Sequence, residues 1–440
     1  MKRICVLFLA AVMAALLLTG CSMGTLDQLY CIPKRSEEYN NLQSVIDKAM
    51  AGADYCAPLS GENQQTVQMA DLDGDGYSEY LLFAKDTSER PMKIFIFQQK
   101  DESYVLVDTI ENHGTAFDKV EYVQIDGSPG YEIVVGRQVS DQVLRAVSVY
   151  TFHESQAKQL MAANYTQYLT CDIDQDSLIE ILTLCPGPTE TDSGVAELYG
   201  FHSGTIECLG RADMSEPADR IKRIMISNLQ GGLPAVYVAS AVGEAAIITD
   251  IYSVVDGSFT NVSFSNESGT SVQTLRNYYV YATDIDSDGV LELPSLITMA
   301  ASGMERSTER QYLIRWYAMT QTGEEVDKMF TYHNFVGGWY IQLDEHLASR
   351  ISTTQHMNQY EFYILTEGIQ PAQKLLTITI LTGSDREQIA TEGSRFVVYK
   401  SDVAVYTAEL AEAAAQYGLT QEKLINSFHL IHLDWKTGET

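Results

Sequence analysis

The chain is short of basic charge. Lys and Arg number 29 against 59 Asp and Glu in 440 residues, a net charge of −30. Such a balance argues against nucleic acid and other anionic polymers as partners. A thiolate framework is also missing. Seven cysteines occur without one C-x-x-C, so zinc and thioredoxin-like sites have no support. Beyond Cys5 and Cys21, an odd set remains: Cys31, Cys56, Cys171, Cys185 and Cys208. Cys171 and Cys185 are a candidate pair across a hairpin, and Cys31 and Cys56 a candidate tie for the N-terminal segment. Inert buried thiols are the other reading of all five. No H-E-x-x-H, G-x-S-x-G, P-loop or dinucleotide fingerprint is present. His429 and His432 flank Leu430-Ile431 and read as the edge of a strand rather than a metal pair. Past residue 18 there is no apolar run long enough to span a bilayer.

What the chain does have is a recurring acidic loop. It reads Asp71-Leu72-Asp73-Gly74-Asp75-Gly76-Tyr77-Ser78-Glu79, with copies at Asp172, Asp174, Asp176 and Glu180, and at Asp284, Asp286, Asp288 and Glu292. Carboxylates fall at relative positions 1, 3, 5 and 9. Calcium takes six to eight hard oxygen ligands, which such a loop supplies, with glycine permitting the bend. A main-chain carbonyl at position 7 (Tyr77, Leu178, Val290) is a further candidate ligand. An EF-hand needs glutamate at position 12, but Leu82, Thr183 and Ser295 stand there. Solvated Asp-rich turns are the bland reading. Against it, several carboxylates in one turn repel strongly without a cation.

The loops also mark a repeat. Turns with fewer acids lie between them, Gln124 to Glu132 with Asp126 retained, and Ser227 to Ala235 with no carboxylate. Starts then fall at 71, 124, 172, 227 and 284, about 50 residues apart. Each loop runs into an apolar strand, such as Tyr80-Leu81-Leu82-Phe83, and further β-rich runs follow, such as Met92 to Phe97. Four short strands per unit is the size of a propeller blade.

On these residues the chain resembles the FG-GAP/VCBS-type propeller repeat, with its D-x-D-G-D-G-x-x-D/E loop, over about residues 67–330. The resemblance implies a mainly β fold: a β-propeller of about five blades, with six or seven left open, carrying calcium (Ca2+) in its blade loops. The whole chain is similar to lipid-anchored proteins of clostridia-like bacteria, a group that implies no activity.

The N-terminus reads as a secretion signal, with Lys2 and Arg3 before an apolar Ile4–Leu18. Leu18-Thr19-Gly20-Cys21 resembles a lipoprotein lipobox, which implies cleavage before Cys21 and acylation of its thiol. The expected domains are a signal peptide (1–20), a tether and helix (21–66), the propeller (67–330) and a small C-terminal α+β domain (331–440). The helix is expected after Ser36 as its cap, with Tyr39, Leu42, Ile46 and Met50 on one face. In the C-terminal domain Ala408–Tyr417 and Gln421–Ser427 read as helices, with Gly418 as a break and Thr420 as a cap. Trp316, Trp339 and Tyr340 are a candidate stacking surface, or simply core.

The expected protein is thus anchored on the extracytoplasmic face of the cell membrane. It binds calcium and presents a surface to a protein or glycan ligand, and nucleic acid is excluded as a partner. The alternative is a polysaccharide lyase or hydrolase on the same scaffold, although no catalytic residue stands out.

Overall fold

The apolar runs after the acidic loops are strands, and the described residues form six antiparallel sheets that, except for the last strand, follow one another along the chain. The structure is a computed structural model that describes residues 37–101, 103–139, 144–189, 191–277, 280–299, 311–366 and 369–431. The signal segment, Cys21, Cys31 and Ser36 lie outside the described residues, as does His432.

The first sheet holds β1 (Asp54–Tyr55), β2 (Val67–Ala70), β3 (Glu79–Lys85), β4 (Met92–Lys100) and β5 (Ser103–Asn112). The second holds β6 (Ala116–Val123), β7 (Glu132–Gln138), β8 (Arg145–His153) and β9 (Gln156–Tyr165). The third holds β10 (Gln167–Cys171), β11 (Glu180–Cys185), β12 (Val195–His202) and β13 (Thr205–Asp213). The fourth holds β14 (Ile221–Asn228), β15 (Pro234–Val242), β16 (Ala246–Val255) and β17 (Ser258–Asn261). In the fifth, the leading strand shrinks to a single bridge between Thr283 and Glu292. Its main strands are β18 (Glu292–Thr298), β19 (Tyr312–Met319), β20 (Glu325–Asn334) and β21 (Trp339–Leu343). The sixth contains β22 (Ile351–His356), β23 (Gln359–Thr366), β24 (Ile369–Thr382), β25 (Phe396–Lys400) and β26 (Ala404–Leu410). The chain then returns as β27 (Phe428–Leu430), which pairs with β21 on the fifth sheet.

The strands after the first four loops and turns, β3, β7, β11 and β15, are buried on both faces, which is why they are continuous apolar runs rather than alternating ones. On β7, Ile133 and Val135 pack toward the first sheet while Val134 packs toward the third. On β15, Val236 and Val238 face the third sheet while Ala235 and Tyr237 face the fifth. The sheets therefore stack face to face in series. At the near end, Leu81, Phe83, Ile94 and Ile96 join the second sheet's core. The opposite face, Tyr80, Leu82, Phe95 and Phe97, is covered by the helix α1 (Glu37–Ala49) through Leu42, Val45 and Ile46. The helix takes the position where one more sheet would pack.

Several expectations for the C-terminal part change. The boundary placed at residue 331 falls inside β20, and Trp339–Ile341 belong to the fifth sheet instead of opening a new module. Ala408–Tyr417 is not one α-helix. Ala408 ends in β26, where its partner is Ile378, and only Glu412–Tyr417 coils, as a 3-10 turn. The helix α2 (Gln421–Ser427) forms, and the Thr420 side chain accepts the Lys423 amide at 3.2 Å. Gly418 sits left-handed at φ 67° before it. Trp316 and Trp339 are wholly buried and Tyr340 nearly so, which makes them core and removes the stacking surface. Among the described residues no helix is long and apolar enough to cross a membrane.

The thiol pairing also changes. Cys171 lies opposite Glu180 in the β10–β11 ladder, five residues from Cys185 on β11. At about 3.3 Å per residue they sit roughly 17 Å apart along the strand, too far for a disulfide. Among the described residues Cys56, Cys171, Cys185 and Cys208 form no disulfide, and the expected Cys31–Cys56 tie lies outside them because Cys31 does.

Candidate metal centre

Each acidic loop connects two antiparallel strands or their remnant, so its fold is set by main-chain groups needing partners. The acids supply them identically three times. Position 9 accepts the position 2 amide: Leu72 to Glu79 at 2.8 Å, Ile173 to Glu180 at 3.0 Å, Ile285 to Glu292 at 3.0 Å. Position 1 accepts the position 6 amide: Gly76 to Asp71, Ser177 to Asp172 and Gly289 to Asp284, at 3.0–3.1 Å. Position 5 accepts the position 7 amide: Tyr77 to Asp75, Leu178 to Asp176 and Val290 to Asp288, at 2.8–2.9 Å. Positions 4 and 6 are left-handed in all three. Gly74 (φ 72°) also packs so tightly that a Cβ would meet Pro129 Cβ at 2.3 Å. Gln175 and Ser177 hold the same two positions at φ 65° and 73° without being glycine, at a modest backbone cost.

The result is three carboxylate clusters. Asp71, Asp73 and Glu79 bring ligand atoms within 4.8 Å of one another, as do Asp172, Asp174 and Glu180, and Asp284, Asp286 and Glu292. The candidate ligands at position 5, Asp75, Asp176 and Asp288, stand outside these tight sets, each held by its own turn. Tyr77, offered for its carbonyl, carries a side chain 72% exposed.

The electrostatics of the clusters fit a cation. Glu292 is fully buried, yet its Oε1 has no hydrogen-bond partner, and Asp172 Oδ1 is likewise buried and unpartnered. Such atoms are costly unless something meets them. Burial, with the neighbouring aspartates, pushes the Glu180 carboxyl up to about 8 and Glu292 up to about 7. Burial also raises Glu79. A divalent ion would meet these oxygens and stabilise their ionised form, so the donor set fits calcium.

The five turns form one rim. The Tyr131 amide donates to the Asp71 carbonyl at 3.1 Å, and the Ile179 amide to the Gln124 carbonyl at 2.9 Å. Gln175 Nε2 reaches the Gly232 carbonyl at 3.5 Å, and Asn228 Nδ2 the Gly289 carbonyl at 3.0 Å. Acid-rich loops therefore alternate with acid-poor turns.

Three amide or ammonium groups act on this rim, and two of them, Gln98 and Lys328, carry no signal in the loop pattern. Gln98 on β4 donates Nε2 to Asp73 at 2.9 Å and Glu79 at 3.2 Å. Lys328 on β20 places its Nζ 2.6 Å from Asp288 Oδ2. Gln124, at position 1 of its own turn, donates Nε2 to the carbonyls of Ser128 at 2.5 Å and Gly130 at 2.9 Å.

No family model and no curated protein matches the chain. Among solved structures it is similar to the rhamnogalacturonan lyase YesW, at 12% identity and a TM-score of 0.32, covering 72% of this chain and 60% of that one. Similar too are a Bacillus licheniformis rhamnogalacturonan lyase (10%, TM-score 0.29, 73% and 71%) and the exotype lyase YesX (13%, TM-score 0.24, 69% and 59%). The chain thus spans about 60% of the length of the first of them. Likeness this low carries no functional weight here.

Proposed function

We propose that this is a calcium-stabilised, propeller-like scaffold held to the outer face of the cell membrane through Cys21, where it binds a protein or glycan. The observation that carries the calcium part is the buried, unpartnered Oε1 of Glu292 within a cluster built the same way at two other places. Asp71, Asp73 and Glu79, with Asp172, Asp174, Glu180, Asp284, Asp286 and Glu292, would hold the ions. Outside the cytoplasm, calcium fills sites with dissociation constants on the order of 10⁻⁴ to 10⁻³ M. Sheets of four or five strands stacked in series, with the five repeat turns hydrogen-bonded along one rim, support the blade reading. The binding role rests on the rigidity such a stack gives a surface and on the lipobox-like N-terminus.

The test is calorimetric titration of the full chain with calcium, followed by a glycan and protein array probed in calcium and in chelator. Calcium uptake near one ion per acidic loop, with calcium-dependent capture of a ligand, is the expected result. No uptake at millimolar calcium removes the metal reading. Release of unsaturated sugars from any array glycan would replace the binding role with the lyase alternative.

A further inference from the structure

The three acidic loops share one backbone and differ in what faces them. At the Asp172 loop, no described basic side chain forms an ion pair with any of its acids. At the Asp71 loop the neutral amide of Gln98 spans Asp73 and Glu79. At the Asp284 loop an ammonium is built in. Lys328 Nζ lies 2.6 Å from Asp288 Oδ2, with the lysine side chain 15% exposed and its stem on β20, forty residues away in sequence.

We propose, resting on the calcium reading above, that Lys328 is a resident counter-ion of the Asp284 loop and makes it the weakest of the three calcium sites. Two independent features carry this. The unpartnered Oε1 of the fully buried Glu292 is suited to meet a cation held by Asp284, Asp286 and Glu292. The fourth acid of the same loop, Asp288, is already neutralised by a chain of this protein itself. A calcium ion entering here meets one carboxylate already engaged and a positive charge at the site's edge. That charge repels the ion and lowers affinity, whereas the Asp172 loop presents all its acids unopposed. The sites therefore fill in order, with the Asp284 loop last, and the fifth sheet keeps its loop partly neutralised when calcium is scarce.

Calorimetric titration of the full chain with calcium chloride tests the order. Wild type is expected to show two tighter sites and one weaker. Lys328→Met should strengthen the weak site roughly fivefold, the scale of one partly exposed ion pair. Lys328→Arg keeps the charge and should leave the weak site weak. Asp284→Asn in an otherwise unchanged chain should delete the weak class alone, which assigns it even if the Lys328 variants fold poorly. If the weak class vanishes in Asp172→Asn instead, or Lys328→Met leaves it unchanged, the inference is overturned while the calcium reading stands. If wild type takes up no calcium, the parent reading fails, and this one with it.

Discussion

The Asp172 loop and the Gln124 turn are neighbours on the rim, joined by the Ile179 amide at 2.9 Å, and they solve one problem in two ways. Both fold back so that a glutamate at position 9 accepts the position 2 amide: Glu180 from Ile173, and Glu132 from Ile125 at 2.8 Å. Both also let position 3 accept the position 5 amide, Asp174 from Asp176 and Asp126 from Ser128. They part at the centre. Gln124 replaces the first aspartate, and its amide ties the carbonyls of Ser128 and Gly130 together with two hydrogens of its own. The Asp172 loop gathers Asp172, Asp174 and Glu180 instead, and Asp172 Oδ1 is buried without a partner. The turn's backbone is thus independent of any ion. What the acids add is a demand for positive charge, which the glutamine removes.

That contrast can be broken most severely by chelation. A hundredfold excess of calcium over its dissociation constant stabilises by about 2.7 kcal/mol per site. Chelator should therefore lower the melting temperature by several degrees, and a scan unchanged in chelator would erase the distinction between the loops.

Next in size is pH in chelator. Burial holds the Glu180 carboxyl up to about 8, above its ordinary value of 4.5. The folded state then keeps a proton that the unfolded chain releases. This contribution is complete below pH 4.5 and is lost as pH rises to about 8, so metal-free stability should fall across that window. Calcium should abolish the fall, and melting curves at pH 5 and pH 8 in both conditions decide it.

Glu180→Gln sharpens the comparison further because its effect changes sign. In chelator at pH 8 it should raise stability by about 1 kcal/mol, since a neutral amide replaces a buried charge. In calcium it should lower stability through the lost ligand. A variant that destabilises equally in both would show that Glu180 serves the turn alone.

The smallest effect belongs to Gln124→Ala. Losing the amide cross-link should cost about 1 kcal/mol, the same with and without calcium. Urea unfolding in both conditions measures it, and a calcium-dependent difference would make the Gln124 turn a fourth ion site.

The sequence disclosed much of this because its two strongest signals are local. Acid spacing fixes a turn, and a run such as Tyr80 to Phe83 is a strand because both its faces are covered. The short-range pattern also exposed Gln124 as a substitution at position 1. It could not reveal Gln98 or Lys328, which reach the loops from strands far along the chain and sit in runs with no acidic pattern. The C-terminal reading failed where local preference lost to pairing. An alanine-rich stretch with helical propensity begins in β26, because Ala408 completes a ladder with Ile378. For Trp316 and Trp339 the sequence left a stacking surface and core both open, and packing within the fifth and sixth sheets makes them core.

The helix α1 has a consequence for how the protein behaves in company. Repeat arrays need a terminal unit that is polar on its outer side, or their ends adhere to other molecules. Tyr80, Leu82, Phe95 and Phe97 would be such an adhesive end, and the helix seals them. Trimming the chain past Ala49 would leave an aromatic face suited to docking against a second copy. The helix therefore gives this end of the stack a polar outer side, with Ser44, Asp47 and Lys48 exposed in place of that aromatic face.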